Sequence, residues 1–340
     1  MTRSLLVLGG SSFVGRALVA EGLEGGWAVT TFNRGVTGGG PDPSARAVIG
    51  DRLRPETLER LTDRDWDLVV DTWSGAPRAV RDSAGALRDR ADRYAYISSE
   101  SVYVAPPPPG ATESTSTVAA SPNADDGDYA ERKRGAEIAL EQAFPDRSLF
   151  ARAGLILGPH ENVGRLTWWL SRMARGGEVL CPGPEDMPIQ YVDARDLARF
   201  VIAAAASGQT GAFNVVCRRG HATIGTLLDA CLGAAGAPDA VMTWVDPDAI
   251  LAAGIEPWEE LPVWIPPGHE FAALHDSSVE RAHHAGLQCR PVDDTVRDTW
   301  EWFRTLDITV PVRPDLPPLG IEPERERAVL RDWHVARGSA

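Results

Sequence analysis

The chain has 340 residues, a 43% hydrophobic composition and a formal net charge of −14. That length exceeds a typical single domain, so one large α/β domain with a smaller appendage is expected. The acidity argues against nucleic acid or an anionic membrane surface as a partner, whereas a phosphorylated small molecule needs only a local cationic patch. Four scattered cysteines, Cys181, Cys217, Cys231 and Cys289, show neither a disulfide framework nor paired metal ligands, so a reduced chain without a metal site is expected. No apolar run approaches the roughly 18 residues of a membrane span, and no signal-peptide pattern precedes Leu5. The expected location is cytoplasmic, with no membrane partner.

Leu5 to Leu8 is a short apolar run, as in a strand buried on both faces. Gly9-Gly10-Ser11-Ser12-Phe13-Val14-Gly15 follows, and Arg16 to Ala20 opens a helical pattern. Strand, glycine turn and helix together predict a dinucleotide site. Gly9 would make the tight turn, Gly15 would let the helix pack closely on the sheet, and the helix N-terminus would face a pyrophosphate. Ser12 stands where a middle glycine is often found.

Ala28 to Phe32 reads as the second strand and ends in Asn33-Arg34-Gly35, with no carboxylate for the ribose hydroxyls of NAD. Arg34 suits a 2′-phosphate, with Arg16 as a second contact, so NADP(H) is favoured and NAD(H) stays open. Ala47 to Ile49 is the next strand, and Asp51 and Arg52 beyond it are expected to reach the adenine. Arg54 to Leu61 is helical in pattern. Asp67 to Asp71 is a further strand, and Thr72-Trp73-Ser74-Gly75 after it is expected to lie against the cofactor through Thr72 and Ser74. Tyr94 to Ile97 leads into Ser98-Ser99-Glu100-Ser101-Val102-Tyr103. This alternation predicts a doubly wound parallel sheet of Rossmann type, with ligands at the carboxyl ends of the strands. The polar stretch from Pro106 to Asp128 is either a lid or a surface excursion.

Tyr129-Ala-Glu-Arg-Lys133 contains the single lysine of the chain, against 33 arginines. A position that keeps lysine in such a background needs a compact ammonium with rotatable donors. Four residues is one helical turn, so both side chains share a face. An ammonium there favours the phenolate and draws the tyrosine from its usual pKa of about 10 towards neutrality.

The chain now resembles a known family. Gly9 to Gly15, the Ser-Ser-x-x-Val-Tyr segment at Ser98 to Tyr103, and Tyr129-x-x-x-Lys133 occur in the order and spacing of the extended short-chain dehydrogenase/reductases. These include the NAD-dependent epimerase/dehydratases. Arg152 to Pro159 and Val192 to Ala198 resemble later motifs of that family. The glycine turn and Phe32-Asn33-Arg34-Gly35 look like an atypical branch of it, whose members are often reductases. The likeness covers about residues 1 to 215.

The resemblance implies that Tyr129 exchanges a proton with a substrate oxygen while hydride moves to or from the nicotinamide. Lys133 would hold the nicotinamide ribose and lower the tyrosine pKa, and Ser99, rather than Ser98, would hydrogen-bond the same oxygen. Glu100 and Ser101 fall where sugar dehydratases carry two carboxylates, so a dehydratase is disfavoured. The main expectation is an oxidoreductase acting on a carbonyl or secondary alcohol of a small molecule. A nucleotide-sugar epimerase and a non-catalytic NADP-binding protein are the alternatives. Residues 1–162, with sheet-completing segments in 185–217, would form the nucleotide domain. Residues 163–340 would form mainly a substrate lobe and C-terminal arm, with His160, Trp168 and Gln190 joining Glu100 as candidate substrate contacts. Pro311 to Pro323 reads as a proline-rich arm, and Glu324 to Val335 as a helix that packs on the body or on a second subunit. Subunits of this family commonly dock by helices, which is compatible with a homodimer.

Overall fold

The structure is a computed structural model, and it describes residues 2–35, 42–306, 313, 316 and 319–338. Most of the proline-rich arm lies outside the described residues. The chain divides into two units, the first formed by 1–156, 192–217 and 277–289, the second by 157–191, 218–276 and 290–340.

In the first unit the apolar runs become one parallel sheet. In chain order its elements are β1 (Ser4–Leu8), α1 (Phe13–Glu24), β2 (Ala28–Asn33), β3 (Arg46–Ile49), β4 (Trp66–Asp71), α2 (Pro77–Leu87), β5 (Ala91–Ser99), α3 (Tyr129–Ala143), β6 (Ser148–Ala153), α4 (Ala194–Ala206) and β7 (Gly211–Val215). The strand order is β3-β2-β1-β4-β5-β6-β7, with parallel pairing throughout. The doubly wound expectation holds, and the order reverses between β1 and β4, where such sheets bind ligands.

Side-chain alternation sorts the core into two layers. Leu5 and Val7 of β1 face α1 and α4, together with Val14, Leu18, Leu197 and Val201. Leu6 and Leu8 face α2 and α3, together with Val80, Ala84, Ala136 and Leu140. Residues 54–61, expected as a helix, form a 3₁₀ segment from Pro55 to Leu61.

Residues 277–289 fall in the first unit: Ala111 bridges Ser277, and the Asn214 amide donates to the Ser278 carbonyl at 3.0 Å. Residues 106–128 are tied to the body of that unit. Tyr103 bridges Thr117, the Val118 N–H donates to the Val102 carbonyl at 2.8 Å, and the Arg152 guanidinium donates to the Glu113 carbonyl at 3.1 Å.

The second unit pairs strand Glu178–Pro182 with Val241–Val245 in parallel and carries helices at Arg165–Arg175, Ile224–Ala235, Val292–Phe303 and Pro323–Gly338. The last of these packs within its own unit. Its buried Glu326 accepts from Arg172 Nε at 2.7 Å and from the Leu180 N–H at 3.1 Å.

Close packing of α1 on the sheet is set by Gly22, not by Gly15. A Cβ on Gly22 would meet Leu5 Cδ2 at 2.7 Å and Val29 Cγ2 at 2.9 Å, whereas one on Gly15 would meet the Gly10 backbone nitrogen at 2.6 Å. Gly22→Ala is therefore expected to lower stability by about 1–3 kcal/mol through overpacking, read by thermal melting, with nucleotide affinity retained. Unchanged stability would show that the helix shifts without cost.

Candidate active site

The strand-turn-helix at the end of β1 is shaped for an anion. Gly9 and Gly10 take φ of 125° and 100°, a region open to glycine. A side chain on Gly9 would collide with the hydroxyl of Thr72, and Thr72 Oγ1 itself donates to the Leu8 carbonyl at 3.1 Å. Gly15 leaves room for the Gly10 backbone, so turn and helix nest together. Ser12 is the exposed N-cap of α1 and makes no capping bond with its side chain; the first turn, which includes Phe13 and Val14, holds no acid. Ser11 is half-buried beside it. The first amides of α1 are thus not neutralised by a cap, which suits a pyrophosphate.

At the end of β2, Asn33 Oδ1 accepts from the Gly35 N–H at 2.9 Å, and its Nδ2 is buried with no hydrogen-bond partner among the described residues. Arg34 is exposed next to it and makes no ion pair among the described residues. An orphaned amide donor, an exposed guanidinium and an uncapped helix start together fit a phosphorylated nucleotide.

Beyond β3, Asp51 turns its carboxylate onto the Leu53 N–H at 3.0 Å. Arg52, expected at the adenine, is buried instead and bonds Asp71 at 2.6 Å. Asp71 also accepts from Tyr94 OH at 2.8 Å and from the Trp73 N–H at 2.8 Å. Ser74 is half-buried in the same loop.

Tyr129 and Lys133 stand one turn apart at the start of α3. An Asp128–Glu131 capping box sets the first turn, with the Glu131 N–H donating to Asp128 at 2.8 Å. Tyr129 is 41% exposed and Lys133 only 3%. Lys133 Nζ donates to the carbonyls of Trp73 at 2.8 Å and Ile97 at 2.7 Å, and lies 5.8 Å from the Tyr129 ring centre. An exposed phenol therefore sits beside a buried, anchored cation.

Ser98 and Ser99 end β5 on opposite faces. Ser98 Oγ donates to buried Glu137 at 2.7 Å, so its hydroxyl is taken by the core. Ser99 Oγ accepts from the Ser101 N–H at 3.1 Å at the carboxyl end of the strand. The two hydroxyls therefore have different surroundings. Glu137, which sequence reading missed, also takes Arg152 Nε at 3.0 Å and Nη2 at 2.9 Å. Arg152 Nη1 donates to Tyr103 OH at 3.3 Å, and Tyr103 OH donates to Asn214 Oδ1 at 2.5 Å. The one signal was an acid four residues beyond Lys133, on the same helical face.

Glu100 is 6% exposed; its Oε2 accepts from Ser277 Oγ at 3.1 Å, and its Oε1 is buried with no partner among the described residues. Burial pushes the carboxyl up to about 8; the Ser277 hydroxyl opposes this, and the Glu113 charge adds to it. In the second unit, the His160 ring lies 5.0 Å from that of Trp302 and tilted by 56°, and Trp168 is half-buried with its indole against Gly320. Gln190 is buried and its N–H donates to His275 Nδ1 at 3.1 Å.

A model of the NAD dependent epimerase/dehydratase family matches residues 5–216. The chain belongs to that family. Membership makes it an enzyme of the short-chain dehydrogenase/reductase type that uses a nicotinamide nucleotide. No curated protein sequence matches it. Among solved structures, it is similar to the UDP-glucose 4-epimerase of Thermotoga maritima with UDP-glucose, at 18% identity and a TM-score of 0.64, covering 89% of this chain and 99% of the other. It is also similar to the Bordetella bronchiseptica enzyme WbmH in complex with NAD+, at 18% identity, TM-score 0.66 and coverage of 90% and 99%. A third is the UDP-N-acetylglucosamine 4-epimerase of Methanobrevibacter ruminantium in complex with UDP-N-acetylmuramic acid, at 17% identity, TM-score 0.65 and coverage of 90% and 99%. These likenesses carry the family fold. Among the described residues no helix is long and apolar enough to cross a membrane.

The raised Glu100 pKa has a consequence for stability. The folded state keeps a proton that the unfolded chain loses near pH 4.5, so this stabilising contribution is full at low pH and is lost as pH rises towards about 8. Glu100→Gln is expected to remove a stability slope of up to about 1.4 kcal/mol per pH unit across that window. Urea titrations at several pH values measure it, and identical slopes in both proteins would show that Glu100 ionises freely when folded.

Proposed function

We propose that the chain transfers hydride between a nicotinamide nucleotide and a hydroxyl-bearing or carbonyl carbon of a small molecule, with Tyr129 as general acid and base. The observation that carries this is the exposed Tyr129 phenol over an ammonium anchored on the Trp73 and Ile97 carbonyls. When bound, the nucleotide supplies the hydride acceptor or donor. Gly9 to Gly15 and the start of α1 would hold its pyrophosphate, and Asn33 and Arg34 the adenosine ribose. Lys133 would hold the second ribose and keep the phenolate accessible. Tyr129 passes a proton to or from the substrate oxygen, and Ser99 Oγ hydrogen-bonds that oxygen as its charge develops.

Within this chemistry the relatives favour epimerisation of a nucleotide sugar, since two of them are 4-epimerases of UDP-sugars. Hydride would then leave and return on one bound substrate, with no net nucleotide turnover. Retention of both Tyr129 and Lys133 argues against a purely binding role. For the nucleotide, the missing carboxylate and exposed Arg34 at the end of β2 support NADP over NAD, although NAD is the nucleotide named with the Bordetella relative.

Two experiments test the reading. The purified protein is first titrated with NADPH and NADH by quenching of tryptophan emission, alongside Arg34→Ser. Arg34→Ser should weaken NADPH binding about 10-fold or more and leave NADH within about 2-fold; equal losses would remove Arg34 from the 2′-phosphate. UDP-sugars and simple carbonyl compounds are then screened with the nucleotide. Epimer formation without nucleotide consumption supports the epimerase, stoichiometric oxidation of the reduced nucleotide supports the reductase, and binding of neither nucleotide sinks both. On whichever substrate turns over, Lys133→Arg should cut kcat by about 100-fold or more with an unchanged melting temperature.

A further inference from the structure

We propose that the buried Asp71–Arg52 pair is a positioning device for Lys133 that acts through the peptide of Trp73. The inference rests on the role given above to Tyr129 and Lys133.

Lys133 Nζ rests on two main-chain carbonyls that are held in different ways. Ile97 lies inside β5, where it pairs with Ala151 of β6 one residue beyond the last β4 pair, Asp71–Tyr96. Trp73 lies beyond the end of β4, where no ladder reaches it. Its peptide is aimed by side chains. The Trp73 N–H donates to Asp71 Oδ1 at 2.8 Å, its indole Nε1 donates to the Ala76 carbonyl at 2.9 Å, and its carbonyl takes Tyr96 OH at 2.8 Å besides the lysine. Asp71 is wholly buried and accepts from Arg52 Nη1 at 2.6 Å and from Tyr94 OH at 2.8 Å. The same guanidinium lies 4.9 Å from the centre of the Trp73 ring. Arg52 thus grips Trp73 twice, through the carboxylate on its N–H and through its aromatic face.

A buried ion pair is a weak source of stability, because desolvation takes back most of the Coulombic gain. Here its contacts converge on one peptide, whose carbonyl carries the catalytic ammonium. Positioning matters on this scale, since a displacement of about 1 Å can cost on the order of 100-fold in rate. The Arg52 guanidinium is committed to Asp71 and the Trp73 ring.

The test needs no substrate. Ionisation of Tyr129 is followed by ultraviolet difference absorbance against the matching Tyr129→Phe protein, in wild type, Asp71→Asn, Lys133→Met and the double variant. Lys133→Met should raise the tyrosine midpoint, and Asp71→Asn should raise it by about one pH unit, a tenfold change, only while Lys133 is present. An unmoved midpoint in Asp71→Asn, or an equal shift with and without Lys133, overturns the positioning role alone. An unmoved midpoint in Lys133→Met overturns the lysine's proposed role and this inference with it. Asp71→Asn leaves Arg52 buried without its counter-charge; if that variant does not fold, Trp73→Phe decides by the same criterion. It removes the Nε1 bond and exchanges the indole under Arg52 for a smaller ring, strands no charge, and should shift the midpoint by about half a unit only when Lys133 is present.

Discussion

Placing the Lys133 ammonium in a space 3% open to solvent removes most of its hydration, and the carbonyl oxygens of Trp73 and Ile97 replace part of it. Withdrawing an ammonium from water costs several kcal/mol, so the charge stays only if those oxygens are where its donors point. This requirement ties three elements together. β5 must present Ile97, the turn after β4 must present Trp73, and α3 must begin so that its second turn reaches both. The capping box at Asp128 sets that beginning, and Gly135 allows the close approach of Ser121 and Pro77 on the helix's far side. Tyr129 then emerges at the exposed end of the same helix.

The buried acids of the first unit divide by partner. Asp71 receives Arg52 Nη1 and the Tyr94 hydroxyl, and Glu137 receives the Arg152 guanidinium fork and the Ser98 hydroxyl. Glu100 has a hydroxyl and an empty side, and burial holds its proton. Arginine pairs well with planar carboxylates, and lysine with carbonyls that converge on a point. A chain that uses arginine almost everywhere has kept its one lysine where the partners are carbonyls and where a ligand's hydroxyls would add to them.

The glycine turn, the parallel sheet and the tyrosine–lysine pair were legible because each rests on a spacing of a few residues. The preference for Ser99 over Ser98 was legible as alignment, and strand alternation gives the two hydroxyls different surroundings. The Arg52–Asp71 pair was not legible: nothing within reach of Arg52 along the chain shows that Asp71, 19 residues on, ends β4 and captures its guanidinium. Gly15 was credited with helix–sheet packing that Gly22 performs, since only the crossing of α1 over Leu5 and Val29 reveals where the two come closest. The 277–289 segment stands late in the chain, and hydrogen bonds from Asn214 and the bridge at Ala111 draw it into the first unit.

By itself the sequence determined the periodic and local features: apolar runs that must be buried strands, a glycine turn that only small residues can make, and two side chains four apart on one helical face. Their physics is short-ranged and is written in neighbouring residues. Tertiary structure alone decided which charges are spent on the core and which remain for a ligand. The Asp71–Arg52, Glu137–Arg152 and Glu100–Ser277 contacts join residues that meet only when strand ends and loops converge, and desolvation acts on a group only once that convergence has removed its water.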